Sequence, residues 1–256
     1  MTLKLKIFAL CAGVVFIYSG CKKYSSAPAD PTLTPSDVAG QVALNIDQSL
    51  FGGLGVDLSG GLSSPSTFAI QTKGKVLQSL TNPDCSLLVD TTMSFTGSAN
   101  GGSATIGGTF KFSFGCTNNV VSSFTTTDNL TITLTSPSLN LSYKVAENLT
   151  VASLNPTDAN ANLTINGSLN SSGSNQYNTG SKRSGTEVFD YTISSAVFSP
   201  TLGDVVSGSA TFNTSGTGPK GVWNYQGTIT FLGNHVATVV INGKTYTVNL
   251  LTGAVS

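Results

Sequence analysis

Leu130-Thr-Ile-Thr-Leu-Thr-Ser-Pro-Ser-Leu-Asn-Leu-Ser-Tyr-Lys-Val145 decides the fold. Leu130, Ile132 and Leu134 alternate with Thr131, Thr133 and Thr135; after Ser136-Pro137-Ser138 the alternation resumes with Leu139, Leu141, Tyr143 and Val145. A period of two puts the apolar side chains on one side of a strand and the hydroxyls on the other. That pattern belongs to antiparallel sheets with one solvated face, not to the near-continuous apolar strands of a buried parallel sheet. Upstream, Phe110, Phe112 and Phe114 alternate with Lys111, Ser113 and Gly115. Further strands are expected near 86–96, 160–169, 186–198, 205–214, 222–231, 237–242 and 244–250. About ten strands suit an all-β domain made of a single, mostly meandering antiparallel sheet, closing as a sandwich or partial barrel.

Register is readable at the carboxyl end. Asn242-Gly243 between apolar runs is a two-residue hairpin signal, which pairs Ile241 with Lys244, Val239 with Tyr246 and Ala237 with Val248. To bring Ile229 and Phe231 onto the same face, the connection from Phe231 to Ala237 must be odd in length or bulged. Asp158 to Gly185 is rich in Asn, Ser and Gly, and Ser171 to Gly185 has no periodicity, so a long mobile hairpin loop is expected there.

One stretch after the amino-terminal region has helical rhythm. Thr34-Pro35-Ser36-Asp37 supplies a cap, a first-turn proline and a first-turn acid, and Val38, Val42, Ile46 and Leu50 then recur every fourth residue until Gly52-Gly53. A helix over 35–51 should pack on the sheet through this stripe.

Charge is sparse. The 256 residues carry twelve basic and twelve acidic side chains, 9% charged against a usual ~25%, and Arg183 is the only arginine. Without clustered Lys and Arg there is no footprint for nucleic acid. Short hydroxyl and amide side chains replace the charges, a composition of exported β proteins.

The amino terminus explains the export. Lys4 and Lys6 precede an apolar run from Ile7 to Tyr18, too short to span a bilayer that needs about 20 residues, and Tyr18-Ser19-Gly20-Cys21 follows. This segment resembles bacterial lipoprotein signals, whose small-residue box ends in a cysteine that is acylated and becomes the new amino terminus. The resemblance implies a signal peptide over 1–20, lipidation at Cys21, a tether over 21–33 and a β-rich domain over 34–256. The protein would sit at the outer membrane in the cell envelope, with a membrane partner through its lipid. Lys22-Lys23 differ from the acidic residues of known surface-export signals and point to the periplasmic side. Losing Lys4 and Lys6 leaves ten basic against twelve acidic residues.

With Cys11 removed and Cys21 acylated, Cys85 and Cys116 remain, and in an oxidising envelope they are expected to form a disulfide. Strand parity puts both on the apolar face. The pair lacks the C-x-x-C spacing of a redox site, and His235, the only histidine, excludes histidine-rich metal sites.

No cofactor, metal or catalytic constellation emerges. Gly216-Thr-Gly-Pro-Lys-Gly221 matches a dinucleotide fingerprint in letters, but a strand pattern follows it where a helix is needed, so it reads as a hairpin turn. Glu147 and Glu187 are an acid/base pair in name only, since nothing in the sequence brings them together. Trp223 and Tyr225 project from one strand face; exposed they would stack on sugars, whereas packed against the core they are structural. The expected function is a non-catalytic binding or structural module for a glycan or protein partner. The alternative is a carrier whose half-barrel holds a lipid in a cavity lined by Phe110, Phe112, Phe114, Leu130 and Ile132.

Overall fold

The computed structural model describes residues 32–51, 71–72, 75–76, 85, 88–99, 101–158, 160–180 and 182–256. Cys21 and the signal segment lie outside them. Helix α1 spans Pro35–Phe51, followed by the short strands β1 (Gln71–Thr72) and β2 (Lys75–Val76). Ten longer strands come next: β3 (Leu88–Ala99), β4 (Gly102–Thr117), β5 (Val120–Thr135), β6 (Leu139–Ser153), β7 (Leu163–Tyr177), β8 (Ser184–Ser199), β9 (Asp204–Gly218), β10 (Gly221–Gly233), β11 (Val236–Ile241) and β12 (Lys244–Asn249).

These ten form one antiparallel meander, each strand pairing with its sequence neighbours, with β3 and β12 at the two edges. The fold is all-β with one helix, and the sheet does not close. Its curvature follows from α1. The helix meets Tyr143 of β6 and Ser171 of β7 through Asn45, Tyr191 of β8 through the Val42 carbonyl, and packs on β11 and β12. Seven flat strands at about 4.8 Å spacing would be roughly 29 Å wide, far beyond a helix about 10 Å across. The sheet therefore bends around the helix. Register breaks at Gly115/Cys116, Ile165/Gly167, Ser194/Val197 and Phe231/Gly233 are β-bulges of the kind that sharpen local twist and bend.

Thr34 begins α1 as read from the sequence: its hydroxyl accepts the Asp37 N–H at 3.3 Å while the Asp37 carboxylate receives the Thr34 hydroxyl at 2.7 Å. Val38, Ala39, Val42, Ala43 and Ile46 are wholly buried, and of residues 35–50 only Asp37 is exposed. The carboxyl-terminal tail covers the side turned away from the sheet: a Cβ on Gly40 would collide with the Gly253 carbonyl. Only glycine admits that approach.

The hairpin register is as expected. Ile241 pairs with Lys244, Val239 with Tyr246 and Ala237 with Val248; a bulge at Phe231/Gly233 sets Phe231 opposite Ala237 and Ile229 opposite Val239.

Ser171 to Gly185 is a correction. It is no long loop: β7 runs to Tyr177, β8 starts at Ser184, and the Tyr177 N–H donates to the Arg183 carbonyl across a short turn. The inward residues there, Ser171 and Asn175, are polar yet buried, which erases the apolar alternation without ending the strand.

Cys85 and Cys116 form a disulfide with Cα atoms 5.7 Å apart. Cys116 sits opposite Val121 and shares the face of Phe114, but both cysteines are exposed, because the bridge lies past the last buried ring of the strand. Alkylation of unreduced protein should leave both unlabelled. Replacing either with serine should cost about 3–4 kcal/mol for a closed loop of this size, measured by urea unfolding.

Candidate functional site

Cross-strand rows on the concave face assemble the polar residues. One row runs Asp128, Glu147, Leu169, Tyr191 and Phe212 from β5 to β9. The next but one holds Ile132, Tyr143, Gly173, Glu187, Gly216 and Trp223 from β5 to β10. Between them, Ser171 stands beside Val145 and Phe189. Asp128, Ser171, Asn175 and Glu187 are all buried. They split the interior into a large apolar core under α1 and a small one of Ile106, Ile132, Tyr143 and Val145.

Asp128 and Glu147 face each other directly. The Glu147 N–H donates to the Asp128 carboxylate at 3.2 Å. Burial raises the Asp128 carboxyl to about 6, with the Glu147 N–H opposing; burial and the Asp128 charge together raise Glu147 to about 8. The two thus share a proton at neutral pH. Glu147 and Glu187 are indeed not brought together: Glu187 lies two strands away, opposite Gly173 and four residues along from Glu147's row. The true partner was readable, since matching Leu134 with Leu141 and Ile132 with Tyr143 across the Ser136–Ser138 turn sets Asp128 against Glu147.

A second polar group ties the helix to the sheet. The Asn45 amide donates to the Tyr143 hydroxyl at 3.3 Å, and the Ser171 hydroxyl donates to the Asn45 carbonyl oxygen at 3.5 Å. The Tyr191 hydroxyl donates to the Val42 carbonyl at 3.1 Å. Burial raises both tyrosine hydroxyls above their ordinary range, so they remain protonated.

At the carboxyl end of α1, Asp204 accepts from the His235 N–H at 3.0 Å and its other oxygen lies 3.3 Å from His235 Nδ1. Burial raises Asp47 to about 6, with His235 opposing and Asp204 adding to the rise. His235 thus belongs to a turn, as its place beside Gly233-Asn234 suggests. Among the described residues, no group of three His, Cys, Asp or Glu side chains is placed to hold a metal ion.

Trp223 and Tyr225 are not a stacking platform. Trp223 is 5% exposed, its indole N–H donates to the Thr214 hydroxyl at 3.0 Å, and its ring lies over Gly216, where a Cβ would overlap it. Tyr225 is half-buried and donates to the Leu33 carbonyl at 2.7 Å. Tyr225 thereby secures the start of α1 to the sheet, while Trp223 ties β10 to β9. In the Gly216–Gly221 stretch β9 runs on to Gly218, Pro219-Lys220 form the turn and Gly221 opens β10.

No family model matches the chain, and neither does any curated protein or solved structure. The site must be judged by its chemistry alone.

The convex face is the solvated one, with Thr127, Asn129 and Asn148 exposed. Row after row carries hydroxyls and amides, such as Thr127, Asn148, Ser168, Thr192, Thr211 and Thr228, or Asn129, Asn170, Asn213 and Gln226 on alternate or adjacent strands. Cross-strand contacts between Thr125 and Thr150, and between Thr186 and Thr217, tie neighbouring hydroxyls together. Asp190, between Asn170 and Asn213, and Lys144, between Thr131 and Ser172, are charges on this face; away from them it can exchange hydrogen bonds with neutral polar partners without desolvating charge.

Proposed function

We propose that the protein is a non-catalytic envelope module, held at the outer membrane by acyl chains on Cys21, that presents its solvated sheet face to a glycan or protein partner. The observation that carries this reading is the filling of the concave side by the chain's own helix, with Val38, Val42 and Ile46 at 0% exposure. The convex face is then the broad surface left for recognition, and its scarcity of charge suits neutral polar groups. Two acyl chains suffice for stable anchoring, so no spanning segment is required.

The carrier alternative needs a hollow among Phe110, Phe112, Phe114, Leu130 and Ile132. Phe112, Phe114, Leu130 and Ile132 are buried, and Phe112 meets Phe114 edge-on at 4.9 Å and stacks on Phe124 at 5.2 Å between centroids. Rings occupying that space favour the module.

Two measurements test the proposal. A clickable fatty acid fed to the native host should label the protein and not its Cys21→Ser variant, which should leave the membrane fraction. The wild type should be retained on insoluble envelope material, and Asn129→Asp, Asn170→Asp and Asn213→Asp together should abolish retention. Equal retention of that variant would remove the convex face from the account.

A further inference from the structure

The two edges of the sheet are treated differently. The chain covers the β12 edge with its own tail: Val255 bridges to Val248, Ser256 and Thr247 exchange backbone hydrogen bonds, and the Asn249 N–H donates to the Ala254 carbonyl at 2.9 Å. Among the described residues, no backbone group pairs with the outer side of β3.

β3 also lacks the devices that protect an edge. Its twelve residues, Leu-Val-Asp-Thr-Thr-Met-Ser-Phe-Thr-Gly-Ser-Ala, contain no proline and no lysine, and their one charge, Asp90, is paired with Lys111 at 2.8 Å. Leu88 and Phe95 are 62% and 39% exposed. A long edge of this kind, its single charge paired, is a template for another strand.

The geometry points to a second copy of this chain as that strand, added antiparallel edge to edge about a twofold axis near Met93 and Ser94. The tail takes Thr247 to Asn249 and leaves a rival β3–β12 contact only Lys244 to Tyr246, whereas a β3–β3 contact can use the whole strand, is isologous and closes at a dimer instead of running on as a fibre. Directly opposed residues must share a face, which limits the axis to Met93 or Ser94 at the strand centre. With the axis at Met93, Thr91 opposes Phe95 and Val89 opposes Gly97; at Ser94, Met93 opposes Phe95. Thr91–Phe95 in the first register and Met93–Phe95 in the second are favourable cross-strand pairs. In either case Asp90 faces Thr96 or Ser98 and never its own copy, so no like charges meet. The concave apolar columns of the two copies then run on across the join.

Thr92 and Ser94 are exposed on the solvated face, so charges there leave the fold intact while meeting their symmetry mates in both registers. The full chain, in detergent where it is acylated, should sediment as a dimer at micromolar concentration. Thr92→Lys with Ser94→Lys, and separately Thr92→Glu with Ser94→Glu, should each be folded monomers whose melting temperatures, unlike the wild type's, do not depend on protein concentration, and mixing the two should restore a dimer. A monomeric wild type overturns the proposal. So does a dimer indifferent to these charges, or a monomer that pairs only with a strand of another protein.

Discussion

The protein should become more stable as it is acidified from about pH 8.5 to about pH 5, the reverse of ordinary acid denaturation. Asp47 and Asp128 have carboxyls raised from 3.8 to about 6, and Glu147 is raised from 4.5 to about 8. For an acid whose folded value lies above its unfolded one, the folded state binds the extra proton between the two values. Stability is therefore fully present below about pH 4 and declines as pH climbs through 6 and then 8. Asp47 alone accounts for on the order of 2–3 kcal/mol, against a total stability of about 5–15 kcal/mol. Urea midpoints should fall from pH 5 to pH 8.5 at constant slope, and Asp128→Asn with Glu147→Gln should flatten the profile and raise the midpoint at pH 8.5. A midpoint that is level or rises with pH would show that these carboxyls ionise freely.

Ile46→Ala should cost about 2–5 kcal/mol, because its side chain is wholly buried between α1 and the sheet and the rigid strands around it cannot collapse into the gap. Lys144→Ala, on the exposed convex face, should change stability by less than about 0.5 kcal/mol. A loss below about 1 kcal/mol for Ile46→Ala would mean that the helix merely rests on the sheet.

The regular parts of this fold were legible because one physical rule governed each. Alternation set the strands, Thr34 to Asp37 set the helix start, and Asn242-Gly243 fixed a turn from which the register of three strands followed, bulge included. Ser171 and Asn175 defeated the same rule: both face inward and are polar, Ser171 bonding to Asn45 while Asn175 stands between Leu141 and Gly185. Trp223 could be placed on a face but not as buried, since it is held by Thr214 and lies over Gly216 on a neighbouring strand. The Asp128–Glu147 pair required cross-strand register, which the sequence held in its leucines, together with burial, which it did not display. Convergence of α1 on strands from β6 to β12 depends on how far the sheet bends, and that is a sum over many bulges and twists.

Hydrogen exchange of the α1 amides tests the central claim most directly. If the helix is the filling of the curved sheet, Val38 to Leu50 should exchange only through global unfolding, at rates matching the buried amides of β8 to β11. Exchange of the helix through a much smaller opening free energy than those strands would make it a lid over a cavity, and would contradict the account in favour of a carrier.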